Sequence, residues 1–301
     1  PCDFHILAYF GNGTSLDAVG KKAFQQHMYH CLMAQTLWMK GEIEARRSSN
    51  MYGLLIWQLN ENWPTGGWGC IEYGPPDQRG NQVIGGRWKP LMHLLQSSLF
   101  RDVMVACGTS NECYIRNDAQ EMLSAIISLE AWDLVGLETM KAHSFSVTLL
   151  EDSICKLSSA GDRFANDMLS HLSNLSFSDR FSLPETWADS DPTVIINVYN
   201  ETSETFLVDN IVLPKHPKDI PGLRTPVRIM VESIKLLGDS AAQITLQSDR
   251  LALFVVLTTQ AHGRFSENAF VLRPMQRKVR LISSQTFSTW HVPFLFLLTC
   301  M

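Results

Sequence analysis

Trp57-Gln58-Leu59-Asn60-Glu61-Asn62-Trp63-Pro64-Thr65-Gly66-Gly67-Trp68-Gly69-Cys70-Ile71-Glu72-Tyr73-Gly74 is the stretch that decides how this 301-residue chain reads. An apolar run over 52–56 precedes it and predicts a buried strand spanning 51–59. At the strand's end the composition changes to three tryptophans, two asparagines and two glutamates around a Pro-Thr-Gly-Gly turn. A fold alone has little use for large aromatics on a Gly-rich loop, where exposing them is costly. A sugar site has one: indole faces stack on the apolar face of a pyranose while amides and carboxylates bind its hydroxyls. A purely structural reading, in which the loop only plugs the bottom of a barrel, stays open beside it.

On either side of this stretch the periodicity is helical. Over 20–48, Phe24, Met28, Cys31, Leu32, Trp38, Met39 and Ile43 recur at three- and four-residue intervals, with charged and amide side chains opposite. Over 89–100, Leu91, Leu94, Leu95 and Leu99 form a second apolar stripe. Helix, strand, long loop, helix is the pattern that ends a (β/α)8 barrel, and loops at the C-terminal ends of barrel strands carry chemistry.

Beyond residue 101 the texture becomes β. Strand-like runs at 102–107, 122–132, 144–151, 193–200 and 205–213 predict an immunoglobulin-like sandwich, interrupted by a short helix over 162–175. Three prolines within 214–222 predict an extended, non-helical linker. Runs at 227–235, 242–247, 251–260, 269–272 and 278–282 predict a second, smaller sandwich. The expected domains are therefore 1–101, 102–222 and 223–301.

Composition narrows the function classes. A charged fraction of 18% against 45% hydrophobic residues predicts a folded chain. A net charge of −5 with no Lys/Arg block argues against nucleic-acid or anionic-membrane partners. The apolar tail 292–301 is shorter than a membrane helix needs. Seven cysteines without a CxxC predict neither a zinc site nor a redox motif, and the odd number leaves at least one that is unpaired or pairs with missing sequence. Cys107 and Cys113 are spaced either to bridge a short loop or to remain free thiols. His27, His30, His93 and His143 lack metal-ligand spacing with a carboxylate. The sequons at Asn12, Asn174 and Asn200 point to a lysosomal or secreted location. A start at Pro1, without an initiator Met, predicts a fragment, a processed product or a truncated gene model. The sequence carries no signature of oligomeric state.

With Gly86-Arg87-Trp88-Lys89-Pro90-Leu91-Met92-His93, the tryptophan-rich stretch resembles the last barrel strand and helix of family 2 glycoside hydrolases. Within that family it is closest to the β-mannosidase branch, whose pattern is near W-Q-L-N-D, then W, then EYGGRWK and a helix. Here Glu61 stands in place of the usual Asp, and an insertion over 75–85 splits the motif. Gly263-Arg264-Phe265-Ser266-Glu267-Asn268-Ala269-Phe270 is similar to the family's GRFSDN-(G/A)-F segment, although a turn with a hydrophobic anchor would also account for it. The resemblance implies a retaining exo-β-mannosidase that removes terminal non-reducing β-mannose from oligosaccharides or glycoproteins, without metal or organic cofactor. Trp57 would form the floor or wall of the subsite for the terminal sugar, and Asn60 would bind its hydroxyls. Trp63 would close the side of the pocket and Trp68 would line the aglycone face. Arg87 and Trp88 would lock the loop onto the following helix.

Retaining glycosidases need two carboxyl groups. In the family both are glutamates on earlier barrel strands, and residues 1–20 contain no glutamate, so the catalytic pair is expected to be absent. Glu61 and Glu72 come from one strand end and its own loop, which makes them poor substitutes. Three rivals remain: an exo-β-glucosaminidase, a β-galactosidase, or a non-catalytic carbohydrate-binding or interaction protein built on the sandwiches. Against the last stand the apolar faces of helix 21–48 and strand 52–59, which need cover.

Overall fold

The computed structural model describes residues 2–11, 19–49, 51, 53–61, 67–72, 86–108, 112–134, 139–150, 178–183, 192–224, 226–238, 240–259, 263–274, 277–283 and 297–299. The expected helix over 162–175, the insertion over 75–85, the sequons at Asn12 and Asn174, and Trp63 lie outside them. The chain divides into two compact units. One comprises Pro1–Ile43, Gly53–Leu94 and His216–Met301, and the other Glu44–Tyr52 and Leu95–Lys215.

In the second unit, strands β1 (Val103–Cys107), β2 (Glu112–Asn117) and β5 (Ser178–Ser182) form one antiparallel sheet. The other sheet has the order β4-β3-β6-β7, from β3 (Leu123–Trp132), β4 (Thr139–Leu149), β6 (Thr193–Asn200) and β7 (Phe206–Val212). Alternation makes the sandwich: Leu123, Ala125, Ile127 and Leu129 of β3 turn inward and meet Val105, Cys113 and Ile115 of the facing sheet. A Cys107–Cys113 disulfide closes the β1–β2 hairpin, which selects one of the two readings left open by the spacing. The last turn of the long helix belongs to this unit. Asn210 donates to Glu44 Oε1 at 2.8 Å and to the Val105 carbonyl at 2.6 Å, while Arg47 donates to the Leu99 carbonyl at 2.8 Å.

In the first unit, α1 (Cys2–Phe10) and α2 (Lys21–Ser48, up to Ile43) are joined by a Cys2–Cys31 disulfide. Helix α2 has the predicted extent, and its predicted face holds at Cys31 and Ile43 but not throughout. Tyr29, Met33, Thr36, Leu37 and Ile43 are buried, whereas Phe24 and Trp38 are exposed. Apolar residues occupy most positions from 28 to 39, so docking rather than periodicity chooses the face. Helix α3 (Pro90–Leu94) runs on into a π-helical turn, Leu95–Leu99.

The terminal sandwich of this unit has one sheet in the order β11-β13-β9-β8 and another in the order β12-β10-β14. These are β8 (Ile229–Leu236), β9 (Ala241–Ser248), β10 (Ala252–Thr258), β11 (Gly263–Phe265), β12 (Phe270–Leu272), β13 (Arg277–Ser283) and β14 (Leu297–Thr299). Ile244, Leu246 and Val279 face Ala252, Val255, Leu257, Phe270 and Leu272 across the core. The Tyr29 hydroxyl donates to the Phe254 carbonyl at 3.2 Å, tying α2 to β10.

Two expectations are corrected. Residues 53–56 form no strand, because a strand needs a neighbour to satisfy its backbone and none runs beside them among the described residues. The predicted extended linker contains 3-10 turns at Pro217–Asp219 and Pro221–Arg224. Proline opens each turn, where its missing N–H would be unpaired in any case.

Candidate functional site

The loop is a small backbone framework. Asn60 bridges Ile71 in parallel, and Ile71 bridges Trp88 in antiparallel fashion. The amides of Cys70 and Ile71 donate to the Leu59 carbonyl at 2.9 and 3.0 Å. Glu72 N–H donates to the Arg87 carbonyl at 2.8 Å, and Lys89 N–H to the Cys70 carbonyl at 3.0 Å. Two glycines allow these approaches. A Cβ on Gly69 would lie 2.5 Å from Glu61 Cγ, and one on Gly86 would lie 1.6 Å from the Glu72 carbonyl oxygen.

Side chains fasten the framework from beneath. Glu61 and Lys89 form an ion pair with side chains only 3% and 2% exposed, and Lys89 Nζ also donates to the Gly67 carbonyl at 3.1 Å. Arg87 donates to Glu72 at 2.9 Å. Cys70 is a buried free thiol, its pKa raised by burial, with Lys89 opposing and Glu61 adding to the shift. Both carboxylates are paired, Glu61 in a buried ion pair with Lys89 and Glu72 with the partly exposed Arg87. Gln35 holds the loop from α2, donating to the Trp68 carbonyl at 2.7 Å.

Above this framework, Trp57 is 72% exposed, Trp68 is 52% exposed, and Asn60 is exposed as well. Trp68 has a φ of 57°, a left-handed conformation that bulky residues seldom adopt. The Trp57–Gln58 peptide bond is cis. The framework thus brings Asn60 and Trp68 onto one loop, with Trp57 leading into it, while Trp63 lies outside the described residues.

Sequence reasoning missed the Lys89 partner of Glu61, because a lysine ahead of an amphipathic helix reads as solvated. It also missed Arg264, whose guanidinium carbon sits 4.5 Å from the centroid of the Trp88 ring. His93, buried and 5.3 Å from the same ring between centroids, has its pKa lowered to about 4 by burial and, secondarily, by Arg264. Away from the loop, ligand atoms of Cys2, Asp3 and His27 lie within 4.8 Å of one another, a proximity across two helices that linear spacing does not reveal. The Cys2 sulfur is committed to its bond with Cys31.

A family model described as an Ig-fold domain, Ig_mannosidase, matches residues 225–291. Beta-mannosidase A of Aspergillus oryzae is 24% identical over 91% of this chain and 28% of its own length. The Aspergillus niger protein of the same name is 27% identical over 91% of this chain and 28% of its own length. The chain resembles part of a family 2 β-mannosidase.

It spans less than a third of the length of these curated relatives. Among solved structures, the β-D-mannosidase of Dictyoglomus thermophilum shares the fold with a TM-score of 0.63 at 18% identity, over 98% of this chain and 31% of that one. An exo-chitosanase from Amycolatopsis orientalis does so with a TM-score of 0.55 at 11% identity, over 85% of this chain and 31% of that one. Among the described residues no helix is long and apolar enough to cross a membrane.

Proposed function

We propose that this chain contributes the sugar-binding loop and the terminal β-sandwiches of a retaining exo-β-mannosidase that releases terminal non-reducing β-mannose. The observation that carries the reading is the exposure of Trp57, Asn60 and Trp68 beside a loop fastened by a buried Glu61–Lys89 pair and a partly exposed Arg87–Glu72 pair. In this reading Trp57 stacks against the terminal pyranose, Asn60 hydrogen-bonds its hydroxyls, Trp63 closes the side, and Trp68 meets the aglycone. Residues 1–101 belong to a (β/α)8 barrel whose two glutamates lie outside this sequence, and 102–222 and 223–301 are the sandwiches that follow. The expected compartment is lysosomal or secreted, and the expected partner is a β-mannoside.

The two Aspergillus relatives above are both named beta-mannosidase A, which favours mannose over the glucosamine-type specificity that the exo-chitosanase's name suggests. Two assays test the reading. The chain alone should leave an aryl β-mannoside unhydrolysed, whereas methyl β-D-mannopyranoside should quench its tryptophan fluorescence saturably. Trp57→Ala should weaken that binding roughly tenfold, about the loss expected for one stacked ring in a largely exposed site. Equal quenching by the β-glucosaminide and β-galactoside would sink the mannose assignment, and no quenching by any of them would sink the sugar site.

A further inference from the structure

Strand β11 brings Arg264 of the terminal sandwich over the ring of Trp88. From Trp88 the connection to the loop is short. Its backbone bridges Ile71, which bridges Asn60. The next residue, Lys89, is ion-paired with Glu61 and donates to the carbonyl of Gly67, the neighbour of Trp68. Arg264 itself is exposed and its residue pairs with Ile282 of β13, so the guanidinium is presented from a strand of the sheet and not from a loose loop. A guanidinium plane stacks on an indole better than an ammonium does, because it is flat and weakly hydrated.

We propose that Arg264 is a positioning residue for the sugar-binding loop: the terminal β-sandwich grips Trp88 and through it fixes the segments 59–61 and 67–72. The inference rests on the sugar-site reading above. It assigns the sandwich a part in ligand recognition that sandwich architecture alone does not require.

The test combines amide hydrogen exchange with methyl β-D-mannopyranoside titration on the full 301-residue chain. Arg264→Gln keeps a polar side chain of similar reach, Arg264→Lys keeps the cation, and Lys235→Gln on exposed β8 is the control. With Arg264→Gln, exchange at the amides of Glu61, Cys70, Ile71 and Lys89 should quicken about tenfold, a change equal to 1.4 kcal/mol, while the amides of β9 and β13 stay as they are. Sugar affinity should fall roughly three- to tenfold, the scale of one cation–π contact. Arg264→Lys should recover part of both losses, and Lys235→Gln should change neither.

Unchanged exchange at the four loop amides would overturn the proposal, as would a uniform rise across the sandwich, which is the mark of lost stability alone. If the wild-type chain binds no methyl β-D-mannopyranoside, the sugar-site reading fails. The exchange data then decide separately whether Arg264 holds the loop.

Discussion

Asn60 and Glu61 are neighbours in the chain, and the loop treats them in opposite ways. Glu61 is buried against Lys89, while Asn60, like Trp57 and Trp68, is exposed. The described neighbours vary in the same way. Cys70, Lys89 and His93 are buried, Trp88 is half-buried, and Trp57 and Trp68 are exposed. A loop anchored by buried groups can present its exposed side chains in fixed positions, which is what a binding site on a loop requires. Changes below the backbone should therefore cost stability, and changes above it should cost binding.

The largest effect is expected at Glu61. Its replacement by Ala takes a buried ion-pair partner from the Lys89 ammonium, and breaking such a pair typically costs about 3–5 kcal/mol. Urea unfolding should show the loss. The paired replacement Glu61→Leu with Lys89→Met should restore most of it, since the cost lies in the orphaned charge. A shift below about 0.5 kcal/mol for Glu61→Ala would mean the pair does not anchor the loop.

Next comes His93. Its pKa lies near 4 in the folded chain against 6.5 when solvated, so between those values the unfolded chain binds the extra proton. Its neutral burial is therefore without penalty above pH 6.5, and stability drains away as pH falls toward 4, by roughly 3 kcal/mol from this group. His30, stacked on Phe10 and likewise lowered to about 4 mainly by burial, adds in the same direction. Melting temperature followed from pH 7 to pH 4 should decline, and His93→Gln should flatten the slope. A slope that His93→Gln leaves unchanged would assign the acid sensitivity elsewhere. Smaller still is Gly69→Ala, where the new methyl meets the Glu61 side chain and the Asn60–Glu61 backbone at 2.5–3.0 Å. Overpacking of this kind costs about 1–3 kcal/mol and should be visible in the same urea midpoint.

The division between inside and outside was only half legible in the sequence. The extent of α2, the strands β3, β6, β9 and β10, and the composition of the loop could be read directly, because their periodicities are long or their residues unusual. Helix α1 could not, since Phe4, Ile6, Leu7, Ala8, Tyr9 and Phe10 leave no polar face from which to read a period. Strand β2 hid behind its polar residues, although Cys113, Ile115 and Asn117 do alternate inward. The strand expected over 51–59 failed for a different reason: apolar content states that a segment can be a strand, and only a partner makes it one. Within the site, the tryptophans announced themselves, but the Glu61–Lys89 pair and the Arg264–Trp88 contact join residues 28 and 176 positions apart, and nothing local encodes such contacts.

The smallest stability effect is expected where the binding effect is greatest. Trp57 is mostly exposed, so Trp57→Ala removes little packing and should move the urea midpoint by no more than about 0.5 kcal/mol. Trp68→Gly should do no worse and can gain slightly, because glycine accepts the φ of 57° without a side-chain clash. Both variants should nonetheless lose affinity for methyl β-D-mannopyranoside. If either one unfolds the loop instead, as judged by faster exchange at Glu61 and Ile71, then that indole is a packing group, and the face above the backbone is not divided from the face below it.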